Sequence, residues 1–150
     1  VKGGKPKESP AETLFRKTLE ALKKELLEGQ SLSWGFKQEY PLSILIQKTG
    51  AKDGLFTDDE ERYMQAGARL DFLIFDRMDN EPVVAIEVDG EAFHKPGTKA
   101  AANDAMKDSI LRKIGLDFIR LRTRSAEGQE MEKVRALLKK IIENRNISII

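Results

Sequence analysis

Asp71, Glu87 and Asp89 are the residues of this chain whose types and spacing best suit chemistry. Asp71 precedes Asp79 by eight residues and Glu87 follows it by eight. A chain that folds back at Asp79 sets the two acids opposite each other, where directly paired Cβ atoms lie about 5 Å apart. The period of two along a strand then puts Glu87 and Asp89 on one face. Three carboxylates in otherwise apolar strands repel one another, and a divalent cation removes that penalty. Oxygen-only ligands and the absence of cysteine point to Mg²⁺, Mn²⁺ or Ca²⁺ rather than zinc. The alternative is that Asp71 and Asp89 stand at strand ends and are simply solvated.

Other reactive side chains lie close by in sequence. His94 sits in the segment leaving the acidic strand, where it is either a general acid or base or a structural hydrogen-bonder. Asp104, Lys107 and Asp108 share one helix face through i,i+3 and i,i+4 spacing, which an ordinary solvated face also explains. Glu12 borders the apolar stripe that includes Phe15 and Leu19, and a capping box with Ser9 accounts for it as well. Arg120, Arg122 and Arg124 alternate along a strand-like run, while Ile119 and Leu121 face the other way. With Arg112, Lys113, Lys139 and Lys140 they suit contact with a phosphate backbone, or else form a solvated sheet edge. Aromatic residues are too sparse among them for a base-stacking platform.

Composition narrows the classes. The 150 residues hold no Cys and one His, which removes disulfides, thiolate zinc sites, thiol nucleophiles and His-rich metal sites. No apolar run is long enough for a membrane span or a secretory signal, so the chain reads as a soluble intracellular domain. It begins at Val1 rather than Met and therefore reads as a piece of a longer protein. The net charge of +1 conceals segments of +4 (1–52), −9 (53–91), +1 (92–111) and +5 (112–150). An acidic middle between basic ends fits a cation-binding centre flanked by polyanion-attracting surfaces.

The elements that must position these groups follow from pattern. Residues 1–9 read as a linker or tail, and 10–150 as one domain. Pro10 and Glu12 start a helix carrying Phe15, Leu19, Leu22 and Leu26, ended by Gly29. Residues 36–42 form a short strand, 43–48 a short helix or extended segment, and 51–69 largely a surface loop with one helical turn near 58–65. Residues 70–75 and 82–89 form a hairpin. A helix over 98–114 stops at Gly115, a strand covers 117–122, and an amphipathic helix covers 127–145 with Met131, Val134, Leu138 and Ile141 as its stripe. The order α-β-β-β-α-β-α predicts an α/β or α+β sheet with helices on its faces.

Asp71, Glu87-Val88-Asp89-Gly90, His94, Asp104-x-x-Lys107, Gly115 and Phe118-Ile119-Arg120-Leu121 together resemble the PD-(D/E)XK restriction-endonuclease-like superfamily. The closest likeness is to the branch of very-short-patch-repair-type endonucleases and related uncharacterised domains. The resemblance spans Pro10 to Thr123. It implies an α-β-β-β-α-β core with a mixed sheet, here followed by an extra C-terminal helix. It also implies that Asp71 and Glu87 hold Mg²⁺ or Mn²⁺, with the backbone carbonyl of Val88 as a further ligand. Glu12 looks like the additional acid such domains place near the metal. Two positions depart from the superfamily pattern: Asp89 stands where its lysine is expected, and Leu70 where its proline precedes the aspartate. Lys107 is the best replacement lysine and Lys99 the next.

The activity implied is metal-dependent hydrolysis of DNA phosphodiester bonds, with Asp71, Glu87, Asp89, Lys107, His94 and Glu12 as the catalytic set. Arg120, Arg122, Arg124 and Lys99 would hold the backbone of DNA, double-stranded in preference. The implied setting is the bacterial cytoplasm and nucleoid, with the domain fused or docked to a helicase or other DNA-processing domain. A catalytically inactive relative that binds nucleic acid or docks onto a partner domain is the competing reading, and a structural Ca²⁺ site a third. Acids that point apart, or that a lysine or arginine already neutralises, would remove the basis for hydrolysis.

Overall fold

The computed structural model describes residues 10–29, 34–89 and 97–122, together with Glu132, Arg135, Ala136, Lys139 and Lys140. The two apolar runs at its centre form antiparallel strands, β2 (Arg69–Asp76) and β3 (Pro82–Asp89). Their register pairs Phe72 with Ile86 and Leu73 with Ala85, which centres the hairpin on position 79. The tight connection is held from within: Asp76 Oδ1 accepts the Met78 N–H and Asp79 Oδ1 accepts the Glu81 N–H, each at 2.9 Å.

Strand β1 (Trp34–Pro41) adds antiparallel to β2, and β4 (Asp117–Arg122) adds parallel to β3. A parallel neighbour needs a crossover, and α4 (Lys99–Lys113) supplies it. Thr98 caps α4 through its Oγ1, which accepts the Ala101 N–H at 3.2 Å. At the other end Gly115 adopts φ +73°, and the N–H groups of Gly115 and Leu116 bond back to the carbonyls of Arg112 and Leu111. The helix therefore ends where the sequence places its stop. The resulting four-stranded mixed sheet has the order β1-β2-β3-β4.

Helices cover both faces. On one, α1 (Pro10–Gly29) packs Phe15 and Leu19 against Phe72, Ile74, Val84, Ile86 and Val88. The Phe15 and Phe72 rings meet edge to face with centroids 4.9 Å apart. On the other, Leu42 and Leu45 of α2 (Leu42–Thr49), Met64 of α3 (Asp58–Gln65) and Ile110 and Leu111 of α4 pack on Leu73 and Ala85. Burial on both sides explains why β2 and β3 read as almost unbroken apolar runs. In those runs a charge is conspicuous, and Glu87 is 2% exposed.

The fold is thus mixed α/β, with four strands and four helices among the described elements. The open choice over residues 43–48 resolves as helix α2. The surface-loop reading of 51–69 needs correction at 58–65, which is a two-turn helix rather than one turn. Thr57 and Glu60 form a reciprocal capping box there, and tertiary packing buries Glu60 and Met64. Glu60 also pairs with Lys113 of α4 at 2.5 Å, which ties the two helices together. The apolar stripe expected within 127–145 and the N-terminal tail lie outside the described residues, although Glu132, Arg135, Ala136, Lys139 and Lys140 are helical. No described helix is long and apolar enough to cross a membrane.

Candidate metal centre

At the Arg69 end of β2 the ladder between β2 and β3 gives way to side-chain bonds. Glu87 Oε2 accepts the Asp71 N–H at 2.7 Å, and Asp71 Oδ2 accepts the Val88 N–H at 2.8 Å. Each acid thus binds the backbone of the opposite strand. The expected facing of Asp71 and Glu87 is met, and one oxygen of each carboxylate is fixed by a backbone donor.

Two further acids converge on Asp71. Residue 39 of β1 lies where the register, Gln38 with Phe72 and Tyr40 with Leu70, sets it beside Asp71. Glu12 comes from α1, one turn before Phe15. Single carboxylate oxygens of Glu12, Glu39 and Asp71 all lie within 4.8 Å of one another. Glu39 has φ +50°, a left-handed conformation that a non-glycine residue adopts at a cost of about 1 kcal/mol or more. Strain of that kind in mid-strand marks a position held by something other than local preference.

The electrostatics report crowding. Burial, then the negative charge of Glu87, push the Asp71 carboxyl up to about 7, against the opposing Val88 N–H. Burial, a side-chain hydrogen bond with Glu12 and the charges of Glu12 and Glu87 push Glu39 up to about 7 as well. A carboxyl hydrogen-bonded to a carboxylate shares a proton, which a cation can replace. The donors are all oxygens, and oxygens in this range can draw around one ion, since opposite ligands of Mg²⁺ are separated by roughly 4 Å. The three residues Glu12, Glu39 and Asp71 therefore fit a hard divalent cation.

On the α4 side the expected lysine is present. The Lys107 ammonium is ion-paired with Glu87 Oε1 and donates to the Arg69 carbonyl at 2.7 Å. Burial pushes the Glu87 carboxyl up and Lys107 opposes it; burial disfavours the Lys107 charge, but Glu87 outweighs this and raises its pKa. Lys107 compensates Glu87, while Glu12, Glu39 and Asp71 crowd one another on the other side, with the charge of Arg69 partly offsetting the rise at Glu39. Asp104 and Asp108, on the same face of α4, hold Arg120 at 3.5 and 2.5 Å. Arg120 is the β4 partner of Glu87 in the parallel register, and its guanidinium turns toward α4. Tyr63 of α3 lies within reach of the charges of Lys107, Glu87, Asp104 and Arg120, and burial raises its phenol pKa.

The structure brings Glu12, Asp71, Glu87 and Lys107 together, and it adds Glu39, which the sequence reading did not single out. No local signal marks Glu39; only the register of β1 on β2 places it. Val88 enters through its N–H. Lys99 is exposed at the start of α4. Asp89 and Arg122 are register partners at the ends of their strands, but their side chains lie outside the described part, as do His94 and Arg124.

The fold and site define a mixed α/β domain with an acidic centre at one end of its sheet. Residues 56–141 match the model of a family described as protein of unknown function (DUF2726), and the chain belongs to that family. No curated protein and no solved structure matches it.

Proposed function

We propose that this domain is a metal-dependent nuclease that hydrolyses DNA phosphodiester bonds. The observation that carries the reading is the convergence of Glu12, Glu39 and Asp71 beside the buried Glu87–Lys107 pair at one sheet end. The element order supports the restriction-endonuclease-like resemblance: α1, an antiparallel β1-β2-β3 set, α4, then β4 parallel to β3, with α2 and α3 inserted after β1. Mg²⁺ or Mn²⁺ held by Glu12, Glu39 and Asp71 would supply positive charge for a phosphate oxygen and a lowered pKa for a bound water. Lys107, with a second acceptor in the Arg69 carbonyl, is positioned to stabilise developing negative charge on the phosphate. Glu87 orients Lys107 and fixes the Asp71 backbone. The exposed Lys99 belongs to the surface that would meet the DNA backbone.

Plasmid nicking with and without Mn²⁺ tests this. Asp71→Ala and Glu87→Ala should abolish nicking while the circular dichroism spectrum stays unchanged; full nicking by either refutes the site. One observation favours the second reading, an inactive module of the same fold that binds nucleic acid or docks onto a partner domain: Lys107 already neutralises Glu87 as an ion pair, so at that acid the basis expected for hydrolysis is removed and the nuclease reading rests on Asp71 with Glu12 and Glu39. Metal binding and DNA retention without any nicking would decide for it.

A further inference from the structure

Asp71 stands between two different surroundings. On one side are the carboxylates of Glu12 and Glu39. On the other is Glu87, 3% exposed in its side chain, with the Lys107 ammonium against its Oε1 and that ammonium also 2.7 Å from the Arg69 carbonyl. A carboxylate oxygen and a backbone carbonyl are the donors that a hard cation takes from a protein. Lys107 is itself only 13% exposed, so its charge sits where a free ion would otherwise be needed. Its helix is clasped to β4 by Asp104, Asp108 and Arg120, which fixes the reach of its stem.

We infer that the Lys107 ammonium is the resident second cation of this centre, so that the domain takes a single divalent ion, on the Glu12–Glu39–Asp71 side. The inference rests on the cation reading proposed above. A tethered ammonium brings one charge and three donors, neither exchanges nor yields to a chelator, and leaves one carbonyl and one carboxylate short of ligands if removed. Truncation of Lys107 therefore opens a second ion position bounded by Glu87, Asp71 and the Arg69 carbonyl.

The test is Mn²⁺ titration of the whole chain by calorimetry, with electron paramagnetic resonance to detect magnetically coupled ion pairs. The wild-type protein should bind one Mn²⁺ and give the spectrum of an isolated ion. Lys107→Ala should bind two, with pair-broadened lines, and should regain with Mn²⁺ the thermal stability it loses without it. Lys107→Arg, which keeps the cation, should bind one. Lys107→Gln is read in the same way as Lys107→Ala if the latter fails to fold. Two ions in the wild-type protein overturn the inference while leaving the cation reading intact, and so does one ion in a folded Lys107→Ala or Lys107→Gln. No Mn²⁺ bound by the wild-type protein removes the cation reading, and the inference with it.

Discussion

Raising the pH from 5 to 8 without divalent metal should destabilise this protein, and the cause is Asp71. Its carboxyl is raised from an ordinary 3.8 to about 7 in the folded state. At pH 5 the unfolded chain has already released that proton and the folded chain still holds it. Folding stability therefore falls as pH rises, by about 1.4 kcal/mol per pH unit until the folded value is passed. The loss is complete above about pH 7, which from pH 5 amounts to roughly 2–3 kcal/mol. Glu39, raised to about 7, acts in the same direction, but it is more exposed and solvent screening reduces its share. For a chain of this size the change corresponds to a fall in Tm of roughly 5–10 °C. Urea unfolding at fixed ionic strength in chelator, at half-unit steps of pH, measures it. Asp71→Asn isolates the contribution from other titrating groups: it keeps an acceptor for the Val88 N–H and should flatten the curve. Saturating Mn²⁺ should flatten it too, because the ion favours the ionised carboxylates. A stability that is constant or rising from pH 5 to 8, or an Asp71→Asn variant with the full wild-type slope, would refute the reasoning.

Two further outcomes follow from single residues. Glu39→Gly removes a side chain from a left-handed backbone position and one charge from the acidic cluster, so the metal-free protein should gain about 1 kcal/mol in urea unfolding while its affinity for Mn²⁺ falls at least tenfold. Unchanged affinity would take Glu39 out of the centre. At Glu60 burial opposes ionisation, yet the hydrogen bonds from Lys113 and the Thr57 N–H hold its carboxyl down to about 2. That contribution is present above pH 4.5 and lost as the pH falls toward 2, which adds an acid limb to the stability curve. Lys113→Met leaves Glu60 buried without its ion-pair partner and should cost about 3 kcal/mol and shrink the limb to what the Thr57 N–H still supports; a cost below about 0.5 kcal/mol would show the pair to be inconsequential.

The local elements were legible because local rules govern them. Thr98 and Gly115 bound α4 through cap and left-handed stop, and both act within one turn of chain. Asp71 and Glu87 face each other because a short hairpin fixes its own register, here centred on position 79. Helix α3 is legible at 58–65 but only as a single turn within a loop, because its Thr57–Glu60 box is brief and its apolar face is little more than Met64; burial against α4 completes it. In the carboxylate centre the sequence offered Asp71, Glu87, Glu12 and Lys107 but not Glu39.

What the sequence by itself determined is the central strands, the helices α1 and α4, the hairpin register and the meeting of two acids across it, since each depends on residues near one another along the chain. What only the tertiary structure decided is the company those acids keep. Glu39 joins through the pairing of β1 with β2, Glu12 through the packing of Phe15 on Phe72, and Lys107 through the seating of α4 on the sheet. Arg120 turns to Asp104 and Asp108 for the same reason. These placements depend on how separate elements dock, and docking is set by the burial of apolar faces far apart in the chain, which no short stretch of sequence encodes.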